Sequence, residues 1–226
     1  MDPSRPAPDI DATARRITGL YAGSSRFVRG FVNGKLRRDP ATRAILSEAM
    51  AEPFGDLIDL GCGRGQLGLA ILTAGLANSL IGLDRDAAKI ADATRASAGL
   101  AARFAVAELG QAPIPECDTA MLIDILVQMP VPAQQVLLAQ VASAARRQVL
   151  IRAFDPDCGW RAQFGFNMER IGRIIRQDGA EIRPLPMAQL AGPLEAAGFS
   201  VSVRPCWAGT PLPNVLLIAR REGGLA

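Results

Sequence analysis

The stretch DLIDLGCGRGQLGLAIL, residues 56–72, constrains the fold of this chain more than any other segment. It begins with an apolar run, 57–61, that predicts a strand. It continues through four closely spaced glycines and enters a helix predicted over 64–75. A buried strand that turns through glycines directly into a helix is the opening unit of a doubly wound parallel sheet, which binds its ligand at that turn. The chain is therefore predicted to be an α/β protein.

The remaining sequence continues the alternation of strands and helices. Further strands are predicted from short, almost wholly apolar runs at 79–84, 103–107, 119–124 and 148–154, and helices at 86–97, 132–145, 163–179 and 186–198. The last two strands, 200–206 and 214–221, are separated by too few residues for a crossover helix, which predicts an antiparallel hairpin at the sheet edge. The expected fold is a Rossmann-like, seven-stranded sheet, mostly parallel with an antiparallel C-terminal hairpin, plus N-terminal helices.

Residues 10–51 precede the sheet and are predicted to be helical, with a break at Asp39-Pro40, where the proline suits the first turn of a helix. They are interpreted as an N-terminal helical lid, residues 1–51, on a ligand-binding domain, residues 52–226. Eight basic residues and a single acid, Asp39, lie between residues 15 and 43. Two interpretations remain open: a solvated helix face, or a basic lip that receives an anionic ligand or partner.

Composition excludes several kinds of site. The sequence has no histidine, which rules out a Ser-His-Asp triad and histidine ligation of a metal. Its four cysteines are far apart and fit no zinc site, so no metal is predicted and reduced thiols of an intracellular protein are expected. No apolar run approaches the roughly 18 residues of a membrane span, and no signal-peptide core is visible, so we expect a cytoplasmic protein. The net charge of only +3 argues against a general role with nucleic acid.

The glycine turn also fits a cofactor-binding pattern. Gly63, Gly65 and Gly68 satisfy the dinucleotide pattern G-x-G-x-x-G. Asp84 ends the next predicted strand 21 residues after Gly63, near the spacing of roughly 20 expected for a carboxylate that binds ribose. Asp59 lies close to the turn, however, and two like charges about 4 Å apart would repel by roughly 4 kcal/mol. This carboxylate disfavours a pyrophosphate and favours a phosphate-free, positively charged nucleoside.

The segment LIDLGCGRGQLG resembles the first motif, D-x-G-x-G-x-G, of class I S-adenosylmethionine-dependent methyltransferases. IGLDRD, RFAVAEL and DTAMLIDIL resemble the second, third and fourth motifs of that family and follow in the same order. The resemblance spans about residues 55–221 and implies S-adenosylmethionine as cofactor. The residues that it implies to bind this cofactor are Asp59, Gly61, Cys62, Gly63, Asp84, Arg85, Ala107, Glu108, Leu109, Ile123 and Asp124.

In this interpretation Asp59 binds the amino group of the cofactor, Asp84 the ribose, and Glu108 or a neighbour borders the adenine. Arg29 or Lys35 is expected to pair with the cofactor carboxylate, unless both are ordinary surface charges. Methyl transfer is an in-line displacement that disperses charge. Alignment and exclusion of water can therefore supply much of the catalysis, up to about 7–11 kcal/mol, which suits a chain without histidine.

A narrower resemblance concerns the acceptor. FVRGFVNGKLRRDP, RPLPMAQLAGPLEAAGF and GTPLPNVLLIAR are similar to methyltransferases of bacterial aryl-polyene and related polyketide clusters, which implies an aromatic or acyl-carrier-bound acceptor. The pocket for it is expected between the N-terminal helices and the segment after strand 148–154. Its candidate residues, each of which can equally be a core or surface residue, are Tyr21, Phe27, Arg152, Asp157, Trp160, Arg161, Phe164 and Asn167. A catalytic general base, if one is needed, would be Asp124 or Asp157, although Asp124 can instead cap the turn that follows it.

Three other functions remain open. An NAD-dependent oxidoreductase would share the fold, but Asp59 opposes it. The only tyrosine, Tyr21, precedes the sheet, which excludes a Tyr-x-x-x-Lys catalytic pair. A non-catalytic cofactor-binding module would keep the fold without methyl transfer, and the intact acids and glycines argue against it. RNA methylation has only the N-terminal arginines in its favour, since no accessory RNA-binding segment is recognisable.

Overall fold

The computed structural model describes residues 7–176 and 183–221, with the side chains of all of these except 169–176. Its strands are β1 (Asp56–Leu60), β2 (Ser79–Asp84), β3 (Ala102–Val106), β4 (Cys117–Ile123), β5 (Ala145–Phe154), β6 (Phe199–Pro205) and β7 (Asn214–Arg221). They form one sheet in the order β3-β2-β1-β4-β5-β7-β6. Neighbours from β3 to β5 are parallel, whereas β7 is antiparallel to both β5 and β6. The predicted fold class is confirmed.

The C-terminal hairpin shows how the sheet is completed. Its second strand, β7, lies between β5 and β6, so that β6 is the edge strand. Along β7, Leu216 and Ile218 pack into the apolar cluster on one face of the sheet, while Val215 and Leu217 pack into the cluster on the other. Burial on both faces explains why this strand is almost continuously apolar.

The helices of the described residues are α1 (Ile10–Leu20), α2 (Arg26–Arg38), α3 (Pro40–Ala51), α4 (Gln66–Thr73), α5 (Ala87–Ala96), α6 (Val131–Ala144), α7 (Gly159–Arg176) and α8 (Met187–Ala196). Four of these helices have a polar N-cap residue whose side chain accepts a backbone N–H of the first turn. These caps are Asp9, Ser25, Asp39 and Asp86. Pro40 occupies the first turn of α3, as its position in the sequence predicts. None of these helices is long and apolar enough to span a membrane.

The N-terminal helices share their core with the sheet. Ile17, Tyr21 and Ile45 belong to the same apolar cluster as Leu57 of β1 and Leu69 of α4. Helices α1 to α3 therefore cover one face of the sheet rather than forming a separate globule. The role of residues 1–51 as a lid stays a prediction.

Candidate functional site

The carboxyl ends of the parallel strands surround a cavity of about 290 Å³, at the small end of the range for ligand sites. Residues at or just after the ends of β1, β2, β3 and β4 line it, and α2 contributes a wall. Twelve of the predicted cofactor-binding residues lie together there: Lys35, Asp59, Gly61, Cys62, Gly63, Asp84, Arg85, Ala107, Glu108, Leu109, Ile123 and Asp124. The sequence motifs therefore converge on one place, and their roles in binding stay predictions.

The glycines of the turn serve different purposes. Gly61, Gly63 and Gly65 all have positive φ, between 57° and 76°, where a side chain would be strained. A Cβ on Gly61 would lie 2.7 Å from Ile125, and one on Gly65 would lie 2.6 Å from Phe104, so both are also required for packing. A Cβ on Gly63 would meet no atom within 4 Å. Because Gly63 lines the cavity, its bare backbone leaves room for a ligand to approach closely.

Asp59 is a buried carboxylate at the floor of this cavity. It is only 4% exposed and makes no hydrogen bond or ion pair with the described residues. Burial, and then the charge of nearby Asp84, raise the pKa of Asp59 to about 7. A buried acid without a partner is costly when it is ionised, so this group is ready to receive a cation.

Asp84 has a defined place at the end of β2. Its Oδ2 accepts a hydrogen bond from the Gly63 backbone N–H at 2.8 Å, and its Oδ1 accepts one from Asp86 at 2.9 Å. The side chain that caps α5 is Asp86, which accepts the N–H groups of Ala88 and Lys89. Asp84 is therefore not the cap of this helix. It joins the second strand to the glycine turn and lines the cavity beside it.

A network of four charges adjoins the cavity on the side of β4 and β5. Asp124, which follows β4, has φ of 61°, and its Oδ2 lies 2.7 Å from Arg152 Nη1 and 3.5 Å from Lys35 Nζ. Asp39, between α2 and α3, lies 2.5 Å from Lys35 and 3.0 Å from the same Arg152 nitrogen. Burial would raise the pKa of Asp39, but Arg152 and Lys35 together hold it below its ordinary value. This network ties the N-terminal helices to the ends of two central strands.

The expectation that Arg152 grips a substrate is not supported by its surroundings. Its side chain is 6% exposed, lies between two carboxylates, and does not line the cavity. The guanidinium is already neutralised, because the chain folds Asp39 and Asp124 against it. Arg152 instead links Asp39 to Asp124 through ion pairs and thereby positions Asp124.

Two other N-terminal candidates lie away from the cavity. Arg29 borders a separate groove between α1 and α2, so of the two expected partners for a cofactor carboxylate only Lys35 is in place. Tyr21 is buried, and its hydroxyl donates a hydrogen bond to the Arg64 carbonyl from beneath the glycine turn. Burial raises the pKa of this hydroxyl above its ordinary value. Tyr21 therefore supports the turn and does not form a wall for substrate.

The remaining substrate candidates also lie outside the described lining of the cavity. Asp157 is exposed in the turn before α7 and does not reach the cavity. Arg161 stacks between Trp160 and Trp207, with 4.8 Å from its guanidinium carbon to each ring centroid, and Trp160 itself is 65% exposed. Phe27 on α2 is exposed, as are Phe164 and Asn167 on α7. The described structure thus leaves Asp124 as the predicted base that lines the cavity.

Sequence reasoning missed several cavity residues. Phe31 of α2 lines the cavity and lies under Arg64, whose guanidinium carbon is 5.2 Å from the ring centroid. Gln66, the first residue of α4, also lines it and has a buried Oε1 without a hydrogen-bond partner. Phe31 is 53 positions before Asp84 in the chain, and no local pattern predicts their shared cavity. Gln66 lies between Gly65 and Gly68 of the glycine motif, so its place in the sequence could have predicted that it lines the cavity.

Comparison with protein families identifies the central part of the chain. Residues 57–148 match a family model described as a methyltransferase domain. The prediction of a methyltransferase, made from the order of four motifs, is thereby confirmed. No curated protein matches the chain.

Solved methyltransferases share the fold. Magnesium protoporphyrin IX methyltransferase from Synechocystis PCC 6803, with bound S-adenosylhomocysteine, has a TM-score of 0.64 and 20% identity, over 93% of this chain and 94% of that one. An O-methyltransferase family protein from Burkholderia thailandensis has a TM-score of 0.62 and 19% identity, over 89% and 61%. Human N-acetylserotonin methyltransferase with S-adenosylmethionine has 0.61 and 16%, over 96% and 60%. The cofactor implied by the motifs agrees with the ligands bound in the first and third of these structures.

Proposed function

We propose that the chain transfers the methyl group of S-adenosylmethionine to a small organic molecule in the cavity. The observation that carries this proposal is Asp59, a buried carboxylate that lines the cavity without a partner among the described residues. A group of this kind is stabilised by a bound cation, and the amino group of S-adenosylmethionine supplies one. The pyrophosphate of a dinucleotide would instead bring two further negative charges next to Asp59 and Asp84.

The residues of the cavity fit the rest of the cofactor. Asp84 uses one lone pair of each oxygen for a backbone N–H, and a carboxylate has about four such sites, so acceptors remain for ribose hydroxyls. Ala107, Glu108 and Leu109, after β3, border the place proposed for the adenine. Lys35 is proposed to pair with the cofactor carboxylate. When bound, the cofactor supplies an electrophilic methyl group on a sulfonium.

The acceptor side of the cavity is apolar and has one candidate base. Phe31, Leu36 and Met129 line the cavity together with Lys35 and Asp124, which suits an acceptor with an apolar body and an acidic hydroxyl or carboxyl group. Arg152 holds Asp124 Oδ2 at 2.7 Å, so the orientation of this carboxylate is fixed. Asp124 is proposed to take the proton of the acceptor, while the surrounding apolar side chains exclude water.

The finer identity of the acceptor is proposed from the sequence resemblance: an aromatic or carrier-bound polyketide-type intermediate. The exposed arginines of the N-terminal helices support it, because Arg26, Arg37 and Arg38 offer positive charge to an acidic carrier protein. Transfer to an aromatic acid linked to a carrier protein, compared with the free acid, tests this part. Equal rates with both would contradict recognition of a carrier.

Cofactor binding is tested by thermal unfolding. We expect S-adenosylhomocysteine to raise the melting temperature, as a ligand of the native state must, and NAD(H) to leave it unchanged. Replacing Asp84→Ala should abolish the shift. The control variant Glu116→Gln removes an exposed carboxylate outside the cavity and should respond like the unmodified chain. A shift with NADH and none with S-adenosylhomocysteine would favour the oxidoreductase.

Methyl transfer itself is tested with radiolabelled S-adenosylmethionine and fractionated bacterial extracts. Label is expected in the small-molecule fraction, or in the carrier-protein fraction where the acceptor is carrier-bound. Label in RNA alone would contradict the proposal. Tight cofactor binding with no labelled product in any fraction would favour the non-catalytic module.

A further inference from the structure

A second pocket lies outside the cofactor cavity, between the N-terminal helices and the end of β6. Its volume is about 450 Å³. Its floor is apolar, with Ile10, Leu36, Ala44 and Leu216 among its lining residues. Four arginines also line it: Arg37, Arg38, Arg43 and Arg204. We refer to this site as the arginine pocket.

The charges of the arginine pocket do not cancel. Arg37 lies 3.0 Å from exposed Asp11, and Arg204 lies 2.6 Å from Glu48. Arg38 and Arg43 make no hydrogen bond or ion pair with the described residues, and both are exposed. Two guanidinium groups therefore remain free to bind an anion.

The acids that line the pocket cannot neutralise these two arginines. Asp39 is held by Lys35 and Arg152. Glu48 is held by Arg204 and by Arg220, which lies 2.8 Å away. Each carboxylate already has two cationic partners, so the free charge around the pocket is positive.

Apolar side chains and free arginines that line the same pocket select for one kind of ligand. Guanidinium groups bind carboxylates through two parallel hydrogen bonds, and an apolar floor stabilises a hydrophobic body. A simple inorganic anion would use only the first of these features. We propose that the arginine pocket binds a small carboxylic acid with a hydrophobic body, in a site separate from the cofactor.

The two sites are adjacent but distinct. Leu36 and Asp39 line both, so one layer of side chains separates the arginine pocket from the cofactor cavity. Ligands are therefore expected to occupy both sites at the same time. This proposal does not depend on methyl transfer, because binding is measured directly.

Isothermal titration calorimetry with 2-naphthoate as the probe tests the proposal. One molecule is expected to bind per chain, and the uncharged 2-naphthamide should bind at least tenfold more weakly. Saturating S-adenosylhomocysteine should leave naphthoate binding unchanged. Competition between the two ligands would place naphthoate in the cofactor cavity and overturn the proposal, as would no detectable binding or equal affinity for the amide.

Paired variants separate this site from general positive charge. The double variant Arg38→Gln, Arg43→Gln should weaken naphthoate binding at least tenfold. The matched variant Arg15→Gln, Arg16→Gln removes the same charge from exposed positions of α1 that do not line the pocket and should bind normally. Equal losses in both would show diffuse attraction and contradict a built site. Ala44→Phe, which fills the floor and keeps every charge, should also abolish binding, and normal binding by this variant would overturn the proposed location.

Discussion

The two ends of the cavity at the strand ends hold buried carboxylates in opposite circumstances. At the end near β1 and β2, Asp59 has no partner in the described structure, and burial raises its pKa to about 7. At the end near β4 and β5, the Asp39 side chain is also largely buried, but Arg152 and Lys35 lower its pKa. The difference separates two functions of buried charge: the first end is left unsatisfied for a ligand, and the second holds the protein together.

The largest effect is expected at the satisfied end. Arg152→Met should lower the free energy of unfolding by about 3 kcal/mol, because it leaves carboxylates without their shared cation. The loss should be near the low end of the range for buried pairs, since Asp124 is 34% exposed and Asp39 keeps Lys35. Urea denaturation measures it.

Arg146→Met is the matched control for that variant. Arg146 also lies on β5 and pairs with carboxylates, but its side chain is 50% exposed. We expect this control to lose much less stability than Arg152→Met, because solvent screens exposed ion pairs. Similar losses in both variants would contradict the structural role of Arg152.

The next largest effect is expected at the unsatisfied end. Asp59→Asn should weaken S-adenosylhomocysteine binding by roughly 10- to 100-fold at pH 8, because a hydrogen bond to a charged group contributes about 1.5–3 kcal/mol. Stability without ligand should not fall, since the variant removes a buried, unpaired charge. Calorimetry measures the first quantity and urea denaturation the second.

Asp56→Asn, on the same strand, controls for the loss of charge. Asp56 is half-exposed at the other end of β1, where it accepts a hydrogen bond from Ser79. Binding of S-adenosylhomocysteine should be unchanged in this variant. A normal affinity in Asp59→Asn would remove the central observation of the proposed function.

A pH dependence sharpens the same comparison. The pKa of Asp59 is raised by folding from 3.8 to about 7, so between these values the native state holds a proton that the unfolded state has released. Without ligand, the contribution of Asp59 to stability is therefore full below about pH 4 and is lost as pH rises towards 7. Cofactor binding needs the ionised form, so affinity should fall by up to about tenfold for each pH unit below 7.

Calorimetry with S-adenosylhomocysteine between pH 5.5 and 8 measures this slope, and Asp59→Asn should flatten it. The chain has no histidine that could titrate in the same window. A flat profile in the unmodified protein would show that Asp59 does not change its charge on binding.

The smallest effect is expected for Lys35→Met. The Lys35 side chain is 38% exposed and its partner Asp39 keeps Arg152, so the free energy of unfolding should fall by only about 0.5 kcal/mol. Affinity for S-adenosylhomocysteine should fall several-fold, as Lys35 is proposed to pair with the cofactor carboxylate. A stability loss as large as that of Arg152→Met would assign Lys35 to the structural network instead.

Local patterns predicted the elements and the place of the cavity well. The segment SLIGLD is β2 over the predicted residues, and the helix predicted over 86–97 is α5, Ala87–Ala96. Strand ends were less accurate: β5 begins at Ala145 rather than at 148, because Ala145 pairs with Cys117 of β4 ahead of an irregularity in the pairing. The residues that pair with a strand are distant in the sequence, so the local hydropathy pattern does not predict where the strand ends.

Charged and aromatic side chains were predicted less well. Arg152, Tyr21 and Trp160 have the chemistry of substrate-binding residues, but packing places the first in an ion pair, the second in the core and the third on an exposed helix face. Residue type alone does not distinguish a substrate-binding side chain from one that is ion-paired, in the core or on the surface. The elements that pack around each side chain decide between these outcomes.

The sequence by itself determined the strand, glycine turn and helix at residues 56–72 and the order of the motifs around it, because backbone sterics and apolar periodicity act between near neighbours. The tertiary structure alone decided which charges are satisfied. Arg152 meets Asp39 across 113 positions of the chain, while Asp59 meets no partner in the described structure. Electrostatic pairing depends on distance in space, and only the assembled fold sets that distance.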